Sequence, residues 1–379
     1  MSKPIQCLSV SILVLCGSGV WAQSQDLVRI SSSLSILNND NFFSAPSGSE
    51  ASERVTTQTI GVNVALPYSL QRFELDASLT GNQYQTYTSF DYVGQNYRAA
   101  WLWSLTPQLR GSLSTTRAET LNAAIDSLNP ALRNKNTTQN TALSANYELG
   151  GPWQLTTGVS NTNTTNERAV IGSADNRSTG VNAGVRYALA SGNSLAYSLQ
   201  VANGSSTNDY TSTTHDVILV WVLSGNTSLN GRLAHLRQSF AAAPQFDFNG
   251  AAGALSFVWR ATGKTTLTAG WQRDLAAYQT PGTTNIQTDT FTLGPAWQIS
   301  PKTSVRMQYR HAVRDDQGNP TGVPTFRQDR LQDTALTLSW QPSSLATLSV
   351  TASEASRGSN VANTDFSART VSLAALLSF

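Results

Sequence analysis

Short runs of alternating apolar and polar residues recur along the chain, and each predicts two β-strands joined by a tight turn. Seven of the eight runs begin with Trp or Tyr, and a Pro or Gly follows within a few residues, where a strand can end and reverse. The eight runs are VALPYSLQRFEL from Val64, WSLTPQLRGSLS from Trp103, YELGGPWQLTTG from Tyr147, YALASGNSLAYS from Tyr187, WVLSGNTSLNGR from Trp221, WRATGKTTLTAG from Trp259, WQISPKTSVRMQ from Trp297 and WQPSSLATLSVT from Trp340.

Eight such turns join sixteen strands, and alternating segments at Leu27–Leu37 and Thr370–Phe379 add two more. The count of eighteen, with sixteen as the alternative, predicts an all-β, antiparallel up-and-down transmembrane barrel. Both termini then lie on the side of the short turns, which we expect to be periplasmic. Nine longer polar stretches are predicted as outer loops: Asn38–Arg54, Gly81–Asp91, Glu119–Thr137, Glu167–Asn176, Ala202–Ser212, Ser239–Asp247, Ala276–Ile286, Asp315–Arg330 and Ser353–Asp365.

The recurring aromatic predicts a girdle where each strand leaves the hydrocarbon, because amphipathic rings favour that interface. Its members are Tyr68, Trp103, Tyr147, Tyr187, Trp221, Trp259, Trp297 and Trp340. The terminal Phe379 ends an amphipathic strand with Leu373 and Leu377, and we interpret it as a C-terminal signal for the barrel insertion machinery.

Composition supports a barrel in the outer membrane of a Gram-negative bacterium. Charged residues make up only 13%, against about 25% in soluble domains. Lys3, the apolar stretch Leu8–Val20 and a cleavage site after Ala22 predict a signal peptide at residues 1–22 and a single barrel domain at 23–379. Both cysteines, Cys7 and Cys16, lie in this signal peptide, so the mature chain is expected to have no disulfide.

Alternation turns many charges toward the lumen, since a charge facing lipid costs about 2–4 kcal/mol near the midplane. The predicted inward acids are fewer than the inward arginines, so we expect a polar lumen that favours anions and forms the substrate path. The alternative for any one arginine is a bracing pair with a lumen acid. The predicted acids are Glu74, Asp76, Glu148 and Asp274, and the predicted arginines are Arg29, Arg72, Arg98, Arg110, Arg186, Arg232, Arg260, Arg306, Arg310 and Arg314.

No pattern in the sequence predicts an enzyme, a metal site or a cofactor. The three histidines are scattered, and no nucleophile elbow or phosphate-binding loop is present. A formal charge of +2 does not suggest a nucleic-acid partner.

Several segments carry a family resemblance: NNDNFF at Asn38–Phe43, LPYSLQRFELDASLT at Leu66–Thr80, YVGQNYRAAWLWSLTPQLRGSLS at Tyr92–Ser114, and YELGGPWQLTTGVS. The mature chain resembles the EpsL-type outer-membrane proteins encoded with exosortase and exopolysaccharide operons. This resemblance implies a part in making or exporting an extracellular polysaccharide, and it brings no catalytic residues.

The leading functional prediction is therefore a passive, arginine-lined conduit that exports an anionic polysaccharide. The expected partners are outer-membrane lipid, the polysaccharide and the insertion machinery, with periplasmic export proteins as further candidates. Two alternatives remain open: a porin for small anionic solutes, and a structural or assembly component of the export machinery.

Overall fold

The structure, a computed structural model, describes residues 27–121, 132–168, 175–189, 191–280, 282–320, 322 and 327–379. The predicted signal peptide lies outside the described residues. Eighteen strands follow one another: β1 Val28–Asn39, β2 Glu53–Tyr68, β3 Gln71–Tyr84, β4 Tyr92–Ser104, β5 Leu109–Leu121, β6 Lys135–Gly150, β7 Trp153–Asn166, β8 Asn176–Ala188, β9 Ser194–Ser205, β10 Asp209–Ser224, β11 Thr227–Ser239, β12 Phe248–Arg260, β13 Thr265–Thr280, β14 Thr283–Ser300, β15 Thr303–Gln317, β16 Gln328–Ser343, β17 Ala346–Ser359 and β18 Phe366–Ser378.

Every strand pairs antiparallel with its neighbours in sequence, and β1 closes the ring by pairing with β18. At the seam, Ser31 lies opposite Ser378 and Asn39 lies opposite Thr370. The amide of Phe379 donates to the carbonyl of Ile30 at 2.8 Å. The predicted eighteen-stranded transmembrane barrel is confirmed.

Eight short turns join β2 to β3, β4 to β5 and so on to β16 and β17, and we call this side the turn end. The nine other connections define the loop end. Two of them are much shorter than predicted: within the stretch Ala202–Ser212 only residues 206–208 are not strand, and in Ala276–Ile286 β13 extends to Thr280 and β14 begins at Thr283. The Thr, Ser and Asn residues here suit strands that continue beyond the lipid with both faces in water, so polarity alone did not mark a loop.

No helix within the described stretches of the chain is both long enough and apolar enough to cross a membrane.

The wall alternates as a lipid-exposed barrel requires, with large apolar side chains on its outer face. On β3, for example, Phe73, Leu75 and Leu79 are 45%, 39% and 57% exposed. The residues between them, Glu74 and Asp76, belong to the inner face. Apolar burial is therefore small and is concentrated in two clusters at the loop end.

The first cluster, the β2 cluster, consists of Val55, Tyr84 and Phe90 with Leu37, Phe42, Phe43, Tyr87 and Leu121 packed around them. The second, the β11 cluster, consists of Phe240, Ala243 and Phe248 with Tyr210, Leu236, Phe246 and Leu275. Val55 and Tyr84 lie opposite each other on the inner face, as do Leu37 and Val55. Since β2 and β11 are nine strands apart in a ring of eighteen, the connections fold inward on opposite sides of the mouth.

The same local structure occurs in both clusters. Each connection begins with an aromatic residue, and five residues later the sequence Phe-Asp-aromatic-x-Gly follows. The two segments are YQTYTSFDYVG from Tyr84 and FAAAPQFDFNG from Phe240. Each includes a 3-10 helix directly before the aspartate, Thr88–Phe90 in one and Pro244–Phe246 in the other. The aspartate carboxylate accepts a hydrogen bond from the backbone amide of the first aromatic residue. The distances from Tyr84 N to Asp91 Oδ1 and from Phe240 N to Asp247 Oδ1 are both 2.7 Å. We call this arrangement the aspartate latch.

We expect Asp247→Ala to open the β11 connection without unfolding the barrel, because the amide of Phe240, a buried residue, loses its acceptor at a cost of about 1–3 kcal/mol. Hydrogen exchange at Phe240 should accelerate by about tenfold or more. The control is Asp209→Ala, a nearby exposed aspartate at the start of β10. Equal exchange in the two variants would show that the latch does not hold this connection.

Candidate functional site

The strand register places all ten predicted arginines on the inner face, each one residue away from outward apolar positions. Arg98, for example, lies opposite Asp76 and Thr116, while its neighbour Tyr97 lies on the outer face. The four predicted acids, Glu74, Asp76, Glu148 and Asp274, are on the inner face as well. These positions line the lumen, which is the candidate site.

Six of these arginines contact carboxylates and so brace the wall. Arg72 lies 2.9 Å from Glu74, Arg98 lies 3.5 Å from Glu74 and 3.9 Å from Asp76, and Arg110 contacts Glu148. The other three pairs are Arg232–Asp216 at 2.6 Å, Arg310–Asp333 at 2.7 Å and Arg314–Asp316 at 3.6 Å. The fourth predicted acid, Asp274, accepts hydrogen bonds from Gln272 instead.

Besides Glu53, which accepts hydrogen bonds from the amides of residues 85–87, sequence reasoning missed four inward acids: Asp216, Asp316, Asp329 and Asp333. Two of them, Asp316 and Asp329, were placed in a loop at Asp315–Arg330, but β15 and β16 extend through them. The other two lie within alternating segments. Asp333 shares its face with Arg310, and this was visible from the outward Leu336 and Leu338. With these acids, the charges of the lumen as a whole are closer to balance than the sequence suggested.

The excess of positive charge is confined to the turn end. In the described strands, six inward arginines lie within three residues of that end, against two inward acids, Glu74 and Glu148. Four of the six form no salt bridge with a described carboxylate. The six come from β1, β3, β5, β8, β12 and β15, and we call them the arginine ring: Arg29, Arg72, Arg110, Arg186, Arg260 and Arg306.

All eight predicted girdle aromatics stand at outward positions within three residues of the turn end. Sequence reasoning missed Trp153 and Trp101, which belong to the same belt. Trp153 packs against Tyr187 with ring centroids 4.8 Å apart, and Trp101 stacks on Phe73 at 6.2 Å. Phe379 is 62% exposed at the same end, and its role in insertion stays a prediction.

The extensive contacts between strands join only neighbours in the ring, and among the described elements no extensive contact crosses the lumen to the opposite wall. An eighteen-stranded barrel is wide enough for an aqueous channel. Within the described residues, no group of three His, Cys, Asp or Glu side chains could hold a metal ion.

Solved structures show the same architecture. OccK2 (OpdF) from Pseudomonas aeruginosa matches with a TM-score of 0.58 at 14% identity, covering 93% of this chain and 98% of that one. The chain has the fold of outer-membrane porins. OccK3 (OpdO) of the same organism matches at 0.56 with 16% identity, over 93% and 96% of the two chains. A BenF-like porin from Pseudomonas fluorescens Pf-5 matches at 0.55 with 12% identity, over 94% and 99%.

No protein-family model matches the sequence, and neither does any curated protein. The assignment to the outer membrane rests on the fold shared with the porins above, and the resemblance to EpsL-type proteins stays a prediction.

Bracing and unpaired arginines should differ in their effect on stability. Arg232→Ala leaves the carboxylate of Asp216, which is 8% exposed, without its partner and should lower the stability of the barrel by about 1–3 kcal/mol. Arg306→Ala removes an arginine with no described carboxylate partner and should change it by less than about 0.5 kcal/mol. For both variants, the measurement is the temperature at which the barrel unfolds in detergent, detected as loss of the heat-dependent shift in its mobility on a gel. Equal unfolding temperatures for the two variants would contradict the assignment.

Proposed function

We propose that this protein is a passive channel for small organic anions, carboxylates above all. The observation that carries this proposal is the arginine ring, in which six cationic side chains face two carboxylates at one end of the lumen. Guanidinium groups match carboxylates bidentately, and rings of such groups favour anions in pores.

The unpaired members suit transient contacts with a passing solute. Arg29, Arg260 and Arg306 are exposed, and Arg186 is half-buried. Because their charge is not cancelled by a described carboxylate, an anion entering the lumen meets a positive local potential. Contacts with solvated side chains are weak, which conduction requires, since tight binding would stop passage.

Export of an acidic polysaccharide, the leading prediction from the sequence, is the second candidate. It is supported by the resemblance of segments such as Leu66–Thr80 and Tyr92–Ser114 to EpsL-type proteins. The β2 and β11 clusters pack side chains on inner-face residues such as Val55, Tyr84 and Leu236 at opposite sides of the loop end. We infer that this packing restricts the mouth, and a restricted mouth suits small solutes better than a polymer.

The test is the reversal potential across planar bilayers in a gradient of KCl. We expect the unmodified protein to favour chloride over potassium. A lumen variant should lose at least about half of this preference, because the two remaining arginines, Arg72 and Arg110, then only balance Glu74 and Glu148 at that end. The lumen variant is Arg29→Gln, Arg186→Gln, Arg260→Gln and Arg306→Gln.

The matched control carries the same change of charge on the outer face and should keep the preference for chloride. This outer-face variant is Arg54→Gln, Arg177→Gln, Arg237→Gln and Arg330→Gln. Glucuronate should block the channel briefly, and neutral glucose should not; a structure of OccK2 with glucuronate makes it a natural probe. Absence of conductance, or a preference unchanged in the lumen variant, would overturn the proposal. Block by long acidic oligosaccharides but not by glucuronate would favour export.

A further inference from the structure

The outer face of the barrel is charged at one end only. From the strand ends at the turn end up to the first outward arginine of each strand, the described outward positions are apolar or neutral. At the loop end, eight strands each place one cation on the outer face. They are Arg54, Arg117, Lys135, Arg177, Arg237, Arg273, Arg330 and Arg369.

Four of these cations contact a carboxylate, including Lys135, which is the farthest from the turn end and lies 3.2 Å from Glu119. The three nearest the turn end each contact a carboxylate: Arg117 contacts Glu119, while Arg273 lies 2.8 Å from Asp289 and Arg369 lies 3.3 Å from Glu354. At about 8–9 residues from the turn end they lie near the upper edge of an apolar band of about 25 Å, where an unpaired charge is costly.

Four arginines farther from the turn end form no salt bridge with a described carboxylate, and all four are exposed: Arg54, Arg177, Arg237 and Arg330. The only described side-chain partner among them is Asn38, which accepts from Arg54 at 2.8 Å. They lie 10–14 residues from the turn end by the strand bounds, which is beyond the hydrocarbon and at the depth of headgroups.

Their distribution around the barrel indicates the kind of partner. The four lie on β2, β8, β11 and β16, so they are spread around the whole circumference rather than grouped in one patch. A protein docking on one side could reach one or two of them. A lipid leaflet surrounds the barrel and reaches all four.

The two edges of the apolar band therefore differ in chemistry. The turn end presents the ring of Trp and Tyr with no outward charge, which suits an ordinary phospholipid interface. The loop end presents arginines, which bind phosphate oxygens with two parallel hydrogen bonds.

We propose that Arg54, Arg177, Arg237 and Arg330 bind the phosphate groups of the phosphorylated glycolipid that forms the outer leaflet, lipopolysaccharide. The same contacts place the loop end outside the cell and the turns and both termini in the periplasm. This surface is on the outside of the barrel, so it does not depend on whether the lumen conducts.

The experiment compares the unfolding temperature of the purified barrel in detergent with added lipid A carrying both phosphates, and with the same lipid after dephosphorylation. We expect the phosphorylated lipid to raise the temperature more. The outer-face variant should bind it about tenfold more weakly and no longer distinguish the two lipids. The lumen variant, which loses the same four charges, should distinguish them as the unmodified protein does.

Loss of the preference in both variants, or its persistence in the outer-face variant, would overturn the proposal. An equal effect of inorganic phosphate at matched concentration would also overturn it, because the site would then not be lipid-specific. If the outer-face variant fails to fold, the unmodified protein still provides a test. Its preference for the phosphorylated lipid should fall as salt rises to about 0.5 M, and a salt-independent preference would refute a charge-based contact.

Discussion

The whole structure depends on the pairing of β1 with β18. In hydrocarbon no water can satisfy a free N–H or C=O, so a sheet that crosses the membrane must close on itself. The register along this seam, from Ser31 opposite Ser378 to Asn39 opposite Thr370, removes both edges. Once the ring is closed, each residue has only two environments, lipid or lumen. A shift of one residue would exchange them along a whole strand, so the alternation of the sequence and the closure specify the same register.

The division of the wall into a lipid face and a lumen face also determines where charged residues can lie without a partner. On the inner face, arginines at mid-height and above, such as Arg232 and Arg310, are paired with acids, and the unpaired ones are gathered at the turn end. On the outer face, the three cations nearest the lipid are paired, whereas four of the five beyond it form no salt bridge with a described carboxylate. The physical reason is the same in both places: a charge can stay without a counter-charge only where water or a polar headgroup solvates it.

The loop end is held by a hydrogen-bonded loop motif that a barrel as such does not require. Two aspartate latches, at Asp91 and Asp247, hold connections that pack aromatic rings against the inner wall on opposite sides. The latch was present in the sequence as Phe-Asp-aromatic-x-Gly at two places. The alternation of apolar and polar residues does not reveal it, because a loop motif has no period.

The sequence by itself determined the barrel, its eighteen strands, the short turns and the inward side of each arginine, because these follow from local alternation and turn residues. It could not determine where polar strands end, since Thr and Asn suit both a solvated strand and a loop, and so Asp316 and Asp329 were placed in a loop. Nor could it show which charges meet. Arg310 and Asp333 are 23 residues apart and contact at 2.7 Å only through strand pairing. Only the tertiary structure decided that the unpaired arginines of the strands lie in one ring on the inner face and at four positions near the loop end of the outer face. The reason is that the height of a residue along the barrel and its neighbours on the adjacent strands are defined only in the closed barrel.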